Sequence, residues 1–478
     1  MNRNLAIILI AGLALRAALV AWFHGEPLYV VDEQSFSEIA TSLATNGTFA
    51  VASGELTSLR PPLFPGIVAL LYTLFGVENY TAVRIFNAAI GLLTVVATHG
   101  LAARLFDRRT ATWAAAFVCF YPSLVFTTNM VLTETLFALL VVVFCACLLR
   151  AWQTGAIASF VAAGAELALA SLTRSVLWLF PPVAVAFLWF AMRQQTASYR
   201  AVRIAAFVVA FAAVLAPWTI RNTRLQKTFI TVDVMGGRNF MMGNYEHTPL
   251  YRAWDAITIT GPESWHEVLA RDVPGYSQTT QGQRDKLALR YGLRYAAEHP
   301  GLTAERCVIK FFNFWQLERE AIAGAQRGFW GIDSRAVVLA MAAVILLSYV
   351  AAMAGGILGW FVLRPSDIRF NVLAVLVIGF VCAVHTGVFG HSRYHLPLMP
   401  LVLIYAAAAV VHRAEIWRQC GSWRFRAAAL TYAILAAGWV WEVAVVERAR
   451  IQELAGETTC PAATEIQAAT DLPRRILS

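Results

Sequence analysis

Charged side chains are scarce in this sequence of 478 residues. They make up 14% of the chain, whereas hydrophobic residues make up 59%, and the mean hydropathy is +0.60. A water-soluble protein needs a polar surface around its apolar core, and a chain of this composition cannot supply one. The sequence therefore predicts a membrane protein that crosses the bilayer several times.

Cysteine is also infrequent, and its spacing predicts no metal site. Seven cysteines are present, without a paired C-x-x-C pattern. Four of them fall inside apolar runs, namely Cys119, Cys145, Cys147 and Cys382. Cys307 and Cys460 are the two that could pair with each other outside the membrane.

Several motifs of well-known enzyme classes are absent. The chain contains no Asp-x-Asp pair, no P-loop, no G-x-S-x-G elbow and no H-E-x-x-H pattern. Their absence weakens interpretations as a nucleotide-sugar enzyme, an NTPase, a serine hydrolase or a zinc protease. The net charge is +9, but the basic residues are scattered between apolar runs and form no compact basic domain, so no nucleic-acid partner is expected.

A group of histidines near residue 390 could indicate a metal. His385, His391 and His395 match no established ligand spacing, however, and no carboxylate stands beside them in the sequence. No metal site is therefore assigned from the sequence, and assistance by a divalent cation is left open.

Eleven apolar runs are candidates for membrane spans, since about 20 helical residues cross a hydrocarbon core. They cover residues 5–23, 82–103, 112–127, 131–149, 156–172, 176–192, 204–218, 336–363, 370–389, 396–411 and 427–446. The first run is long for the apolar region of a signal peptide and contains Arg16, so we predict an uncleaved helix.

Arginines cluster in every second loop, and the positive-inside rule assigns those loops to the cytoplasm. This orientation divides the chain into an N-terminal transmembrane module (1–219), an outer domain (220–335), C-terminal transmembrane helices (336–446) and an outer tail (447–478). The first outer loop (24–79) belongs to the N-terminal module, and we place the chemistry there.

The first outer loop contains two predicted helices. Apolar residues recur at helical spacing from Phe36 to Leu43, which predicts an amphipathic helix on the membrane surface that stops at Asn46-Gly47. The run 63–75 follows two prolines and is too short to span comfortably. We predict that it is interfacial or re-entrant.

Four arginines stand at the outer ends of predicted spans, namely Arg60, Arg174, Arg221 and Arg393. Long side chains at such positions can simply extend to the interface. A guanidinium also matches phosphate oxygens with its planar fork, and several of them on one face favour a phosphate site.

Three carboxylates lie at the same face. Asp32 and Glu33 could merely start the surface helix, as a cap and a first-turn acid. Glu134, near the outer end of a span, could be a structural partner of an outer arginine. Alternatively, a carboxylate at a membrane face can take a proton from an attacking hydroxyl group, which makes all three candidate catalytic residues.

These residues stand in a recognisable order. Asp32-Glu33 after the first span, followed by the block 60–65, resembles the first outer loop of the GT-C glycosyltransferases of the protein O-mannosyltransferase and aminoarabinose transferase type. Further blocks similar to that group are 132–137, 172–174, 217–222, 243–244 and 393–400.

The resemblance implies an all-α polytopic GT-C fold with about 11 transmembrane helices, outer juxtamembrane helices and a small periplasmic domain. It also implies inverting transfer of a sugar from a polyprenyl-phosphate donor to a hydroxyl group or phosphate of a lipid, glycan or protein acceptor. Surrounding membrane lipids would accommodate the donor's tail, and the reaction would take place on the periplasmic side of a bacterial inner membrane.

Particular residues receive roles from the resemblance. Asp32 stands at the position of the general base, and Arg60 stands where the aminoarabinose transferases have a phosphate-binding lysine. The further donor-phosphate candidates are Arg174, Arg221 and Arg393, and the other substrate-binding candidates are Asn222, Asn244 and Tyr394. The chain departs from those enzymes at Ser35 and Phe36, where they have arginine and tyrosine, and at Leu59, where they have glutamate.

Two other classes of protein remain open at this point. Multi-span proteins with charges inside the membrane are often transporters, and a flippase of lipid-linked glycans is one of them. The chain shows no internal repeat that would support this class. A non-catalytic protein that binds lipid-linked glycans would keep the arginines but would not need Asp32.

Overall fold

A computed structural model describes residues 3–446 and Arg448 of the chain. Within those residues there is no β-strand, and one isolated antiparallel bridge joins Ala50 to Leu56. The predicted all-α class is therefore confirmed. The predicted outer tail, apart from Arg448, and Cys460 lie outside the described residues.

The first group of helices reaches from the N-terminus to a long helix that contains Pro217. These helices are α1 (Arg3–Trp22), α2 (Val31–Asn46), α3 (Leu63–Phe75), α4 (Tyr80–Leu105), α5 (Arg108–Phe120), α6 (Pro122–Thr127), α7 (Glu134–Thr154), α8 (Ile157–Thr173), α9 (Pro181–Ala191) and α10 (Ala197–Gln226). Because α10 continues to Gln226, it passes the expected start of the outer domain at residue 220.

The second group begins with the short helices of the outer domain. These helices are α11 (Gly236–Met242), α12 (Trp265–Asp272), α13 (Gln281–Glu298), α14 (Pro300–Phe314), α15 (Glu320–Gln326), α16 (Arg335–Val362), α17 (Arg369–Gly387), α18 (Ser392–His395), α19 (Met399–Val411), α20 (Arg413–Arg418) and α21 (Trp423–Trp441). A 3-10 turn at Leu396–Leu398 joins α18 to α19, and a π-helical turn at Glu442–Val446 follows α21.

In the described part of the chain, eight helical segments are long and apolar enough to cross a membrane. They are Arg3–Trp22, Tyr80–Leu105, Glu134–Thr154, Ala197–Gln226, Arg335–Val362, Arg369–Gly387, Ser392–Val411 and Trp423–Val446. Each of them coincides with one of the eleven predicted spans. A polytopic membrane protein is therefore confirmed.

The other three predicted spans coincide with shorter helices. The run 112–127 is divided into α5 and α6 because Pro122 has no N–H with which to continue the helix. The run 156–172 forms α8, which has 17 residues. The run 176–192 begins with a 3-10 turn and becomes α-helical only from Pro181, so α9 has 11 residues.

The helices form a bundle with a distinct centre. The segments Glu134–Thr154 and Ser392–Val411 are mostly buried, whereas α1, α10 and α21 are mostly exposed and apolar, as expected for helices that face lipid. Each central segment begins with charged residues, Glu134 in one and Arg393 in the other. Two charges are therefore delivered to one end of the bundle by its most buried helices.

The first outer loop packs on that same end. Phe36 and Ile39 of α2 are buried, and α2 ends where Gly47 adopts a left-handed conformation at φ 66°, as the sequence predicts. α2 lies against α3. The segment that follows contacts the outer domain, because Thr57 Oγ1 donates to Gln281 Oε1 over 2.9 Å. The loop 24–79 and the outer domain thus occupy the same end of the bundle.

Candidate functional site

Asp32 lies at the start of α2 and is held between two arginines. Arg60 Nη2 donates to Asp32 Oδ1 over 2.6 Å, and Arg393 Nη2 lies 2.9 Å from Asp32 Oδ2. The Asp32 side chain is 32% exposed, whereas the side chains of Arg60 and Arg393 are 14% and 19% exposed. The Asp32 carboxylate is thus partly exposed to solvent, and it lies between the mostly buried guanidinium groups of Arg60 and Arg393.

Arg60 is positioned by the first turns of α2. Its Nε donates to Ser35 Oγ over 3.1 Å, and its guanidinium lies 4.9 Å from the centre of the Phe36 ring. Ser35 and Phe36 are two of the three positions at which the sequence departs from the aminoarabinose transferases. In this chain both of them hold Arg60 against Asp32.

Glu134 is the first residue of α7, and its side chain is 1% exposed. Its Oε1 lies 2.9 Å from Arg174 Nη1 and also accepts a hydrogen bond from Arg393 Nε. Because Arg393 contacts Asp32 as well, it links the two carboxylates. We call these five residues, Asp32, Arg60, Glu134, Arg174 and Arg393, the arginine–carboxylate cluster.

The arginine–carboxylate cluster has a surplus of positive charge. Three guanidinium groups face two carboxylates, which leaves one positive charge unbalanced. The cluster also lies at the N-terminal ends of α2 and α7, where unpaired N–H groups and the helix dipole favour an anion. These features suit the cluster to receive one anionic ligand.

The two arginines beside Asp32 control its protonation. Burial alone would raise the pKa of Asp32, but the charges of Arg60 and Arg393 outweigh burial and hold that pKa well below its usual range. A carboxylate with such a low pKa accepts a proton poorly. Asp32 therefore becomes a stronger base when the arginines turn to another anion.

Tyr394 borders the arginine–carboxylate cluster. Its ring stacks on His385 with 3.9 Å between the ring centroids, and the Arg174 guanidinium lies 5.6 Å from the Tyr394 ring. The Phe137 ring is 5.9 Å from the same guanidinium. Aromatic faces attract cations, so these rings keep Arg174 oriented towards Glu134.

Glu33 faces away from the cluster and has a different set of partners. Its Oε1 accepts from Val131 N–H over 2.8 Å, and its Oε2 accepts from the N–H groups of Val30 and Tyr29 over 3.2 and 3.3 Å. Burial raises the pKa of Glu33, although these N–H groups and the charge of Arg84 act in the opposite direction. Glu33 thus ties the start of α2 to the turn before α7.

Arg221 does not join the other three arginines of the predicted phosphate site. Its Nη1 donates to Thr57 O over 2.6 Å and its Nη2 donates to Phe49 O over 3.2 Å. These carbonyl groups belong to the segment that leads to Arg60. Arg221 is therefore a positioning residue for the loop that carries Arg60, because its guanidinium is occupied by the backbone.

Asn222 and Asn244 are likewise held by hydrogen bonds within the protein. Asn222 accepts from Ser58 Oγ over 2.9 Å and donates to Val232 O over 2.7 Å. Asn244 accepts from the buried Lys310 Nζ over 3.0 Å, and burial lowers the pKa of that lysine to about 8. Neither asparagine contacts the arginine–carboxylate cluster through these bonds.

Three charged residues of the outer domain, Asp233, Arg238 and Asp285, were not identified from the sequence, and the first two interact with the charge of Arg60. Asp233 interacts with the charges of Arg60 and Arg238, and burial raises the pKa of Asp233. Asp285 accepts from the backbone N–H of Arg238 over 2.9 Å, and burial raises the pKa of Asp285 to about 6. The residue in the sequence that could have pointed to this group is Gly237. A Cβ atom at position 237 would lie 1.9 Å from Asp285 O, so only glycine fits against that segment.

The histidines near residue 390 are separately engaged. His391 Nε2 lies 2.7 Å from Glu320 Oε1, and His395 Nε2 lies 3.1 Å from Glu318 Oε1. Two carboxylates thus accompany these histidines in the fold, although none stands beside them in the sequence, because both glutamates come from a distant segment. Across residues 3–446 and 448, no group of three or more His, Cys, Asp or Glu side chains is arranged to hold a metal ion.

Residues 59–220 match the sequence profile of the family described as dolichyl-phosphate-mannose-protein mannosyltransferase. An uncharacterized protein of Aquifex aeolicus (strain VF5) is 32% identical over 98 residues, which is 20% of this chain and 19% of that protein. The chain thus spans about a fifth of the length of this curated relative.

The solved structure of an oligosaccharyltransferase extends the likeness in fold to most of the chain. The oligosaccharyltransferase AglB from Archaeoglobus fulgidus, in complex with an inhibitory peptide and a dolichol-phosphate, is 14% identical with a TM-score of 0.50, over 91% of this chain and 56% of that chain. ArnT from Cupriavidus metallidurans, bound to undecaprenyl phosphate, is 14% identical with a TM-score of 0.39, over 85% of this chain and 78% of that chain. The predicted resemblance to GT-C proteins is confirmed in the fold, and for residues 59–220 in the sequence.

Proposed function

We propose that this chain, which has the fold of the GT-C glycosyltransferases, is an inverting glycosyltransferase. It moves a sugar from a polyprenyl-phosphate donor to a hydroxyl group, or a lipid phosphate, of a lipid, glycan or protein acceptor. The arginine–carboxylate cluster is the observation that carries this proposal. Arg60, Arg174 and Arg393 bind the donor phosphate, and Asp32 is the general base.

The charge of the cluster suits such a donor. The single unbalanced positive charge matches the single negative charge of a phosphodiester, which is the group that joins a polyprenol to its sugar. Guanidinium groups bind phosphate oxygens through paired hydrogen bonds. The family description for residues 59–220 names a dolichyl-phosphate sugar donor, and the AglB structure contains a dolichol-phosphate, which supports a donor of this class.

Donor binding also prepares the base. When the phosphate draws Arg60 and Arg393 away from Asp32, the two charges that lower the pKa of Asp32 are neutralised. The pKa of Asp32 then rises, because burial is the remaining influence on it. The carboxylate therefore becomes a competent proton acceptor only after the donor is in place.

The reaction needs one proton acceptor and no proton donor. The acceptor oxygen attacks the anomeric carbon and forms the new glycosidic bond, while Asp32 takes the proton of the acceptor hydroxyl group. The bond from that carbon to the phosphate oxygen breaks with both electrons, which remain on the phosphate. Arg60, Arg174 and Arg393 stabilise this developing charge, in the manner of a preorganised oxyanion site.

The orientation of the site is part of the proposal. Arginines cluster in the loops at the other end of the bundle, which supports an outer-face position for the arginine–carboxylate cluster. We accordingly propose an inner membrane of a bacterium with the active site on the periplasmic side. Labelling of single cysteines introduced at the exposed positions 53 and 418 in intact cells tests this: position 53 should react with an impermeant reagent, and position 418 should not.

Binding of undecaprenyl phosphate and dolichyl phosphate to the purified protein tests the phosphate site. Wild-type protein should gain thermal stability as either lipid is added, and Arg174→Met should gain less. Arg364→Met, an exposed arginine at the other end of the bundle, is the matched control and should respond like the wild type. If neither lipid stabilises the wild type, the phosphate site is disproved.

A transfer assay separates an enzyme from a flippase. Proteoliposomes supplied with polyprenyl-phosphate sugars should release polyprenyl phosphate in the same amount as the sugar that is transferred. Movement of the lipid-linked sugar across the bilayer without release of polyprenyl phosphate would instead support the transporter.

A further inference from the structure

Arg16 is buried in the middle of the bundle without an acidic partner. It belongs to α1 and is 1% exposed. Its Nη1 donates to Gly12 O over 3.3 Å and to Cys119 O over 3.1 Å. Among the residues that the structure describes, no carboxylate forms an ion pair with it. An arginine stays protonated in proteins, so a full positive charge is enclosed here.

The opposite edge of the Arg16 guanidinium is free of protein partners. Its Nε is buried and makes no hydrogen bond to the protein. Gly91 of α4 makes room for this edge, since a Cβ atom at residue 91 would lie 3.2 Å from Nε and 3.6 Å from Nη2. Gly12 makes room on the other side, because a Cβ atom there would lie 2.2 Å from Cys119 Sγ. Two glycines from two helices thus shape the space around the charge.

A small cavity lies beside Arg16. Its lining includes Gly91, Thr94, Thr127, Glu134 and Thr135. The cavity volume is about 20 Å³, which is enough for one small ion or one to two water molecules. The cavity is therefore too small for an organic ligand and large enough for a monatomic ion.

The polar groups around the cavity favour an anion. Thr135 Oγ1 is buried and makes no hydrogen bond to the protein, so its O–H is available as a donor. Thr135 lies in the first turn of α7, a helix of 21 residues, where backbone N–H groups and the helix dipole favour negative charge. Glu134 also lines the cavity, but its carboxylate is already engaged by Arg174 and Arg393.

We propose that this cavity binds a single halide-sized inorganic anion, chloride in the cell, between Arg16 and Thr135. Water alone would complete the hydrogen bonds of the guanidinium, but it would leave the charge uncompensated inside a membrane protein, where an unpaired charge is strongly unfavourable. The anion supplies that compensation and joins α1 to the start of α7. The site borders the arginine–carboxylate cluster at Glu134, but it does not depend on the proposed transfer reaction.

Bromide replaces chloride in a site of this kind and can be located by anomalous diffraction from crystals of the full chain. We expect one bromide peak between Arg16 and Thr135 in the wild-type protein. Ordered water without an anomalous peak would overturn the proposal. This experiment needs no variant and so does not depend on whether a changed protein folds.

Thermal unfolding in detergent gives an independent test. Replacing gluconate by chloride at constant ionic strength should raise the Tm of the wild type in a saturable way, by about 2–5 °C. Thr135→Val keeps the shape of the side chain, and Arg16→Met removes the charge, so both variants should lose this dependence. Arg3→Met, an exposed arginine at the start of the same helix, is the control and should keep it. An equal chloride effect in wild type and Thr135→Val would contradict the site.

Discussion

Two sets of arginines in this protein have opposite partners. Arg60, Arg174 and Arg393 pair with carboxylates, and their side chains are 14%, 16% and 19% exposed. Arg84 and Arg306 donate to backbone carbonyl groups, and they are 2% and 4% exposed. Arg221 also belongs to the second set, because it donates to carbonyl groups of the first outer loop.

The kind of partner separates an arginine that can bind a ligand from one that holds the fold. A carboxylate side chain can release an arginine to an incoming anion by rotating away. A backbone carbonyl group cannot do so without moving its segment, and losing the bond leaves a buried acceptor unpaired. The carboxylate-paired set is thus available to a phosphate, and the carbonyl-bonded set is not.

Asp32→Asn should have the largest effect on sugar transfer. The amide cannot take the acceptor proton, so the rate should fall by about 100-fold or more, the range expected when a positioned general base is lost. Binding of undecaprenyl phosphate should remain. Glu38→Gln, in the same helix, is the matched control for loss of an acid. Transfer by Asp32→Asn at the wild-type rate would show that Asp32 is not the base.

Arg393→Met should weaken donor binding and slow transfer together, by about 10- to 100-fold in kcat/KM, because a phosphate contact acts in the ground state and in the transition state. Titration with undecaprenyl phosphate and initial rates measure the two effects. Arg393→Lys keeps the positive charge but not the planar guanidinium. Its lipid affinity and its kcat/KM should lie between those of Arg393→Met and those of the wild type. Undiminished lipid binding by Arg393→Met would place the phosphate elsewhere.

Arg60→Met should shift the acidic limit of activity. In the wild type, Arg60 and Arg393 hold the pKa of Asp32 well below its usual range, so kcat/KM should not fall through protonation of Asp32 until below about pH 4. Removing Arg60 raises the pKa of Asp32. The acid limb of the pH profile should therefore move to higher pH, and an unmoved limb would mean that another group sets it.

Arg221→Met should affect stability more than catalysis, because its guanidinium bonds carbonyl groups rather than carboxylates. Thr57 O loses its donor and Phe49 O keeps only the backbone N–H of Thr57, which should lower the free energy of unfolding by about 1–3 kcal/mol. Folded protein should still bind undecaprenyl phosphate with nearly unchanged affinity. A loss of affinity as large as that of Arg393→Met would remove the distinction between the two sets.

Glu33→Gln should have the smallest effect on transfer, since Glu33 binds backbone N–H groups outside the cluster. Burial raises the pKa of Glu33 in the folded protein, so this residue contributes stability at low pH that is lost as the pH rises through that pKa. The Tm of the wild type should therefore fall relative to that of Glu33→Gln with rising pH. If Glu33→Gln abolished sugar transfer, the general base would be Glu33 rather than Asp32.

Most of the fold could be predicted because apolar runs and arginine-rich loops mark membrane helices directly. The length of an apolar run predicted the length of a helix less well where the run contains proline. Pro122, for example, lies at the break between two helices. The stop of α2 was predictable from Asn46-Gly47, because glycine readily adopts the left-handed conformation that ends a helix.

The candidate site was predictable only in part. Adjacent positions on a helix point about 100° apart, so the sequence could not tell which of Asp32 and Glu33 faces the arginines. Local sequence also could not reveal that Glu318 and Glu320 reach the histidines near residue 390, since these contacts join segments more than 70 residues apart. The assigned roles of the site residues stay predictions until the variants are measured.

The bridging position of Arg393 has a consequence for turnover. A polyprenyl phosphate that has lost its sugar carries more negative charge than the donor, and three arginines alone would retain it strongly. Under the proposed function, Asp32 and Glu134 would compete with that lipid for the same guanidinium groups. The return of the two carboxylates to their arginines would then displace the spent carrier lipid into the membrane. The ion pairs of the arginine–carboxylate cluster would in that way set how quickly the protein begins another cycle.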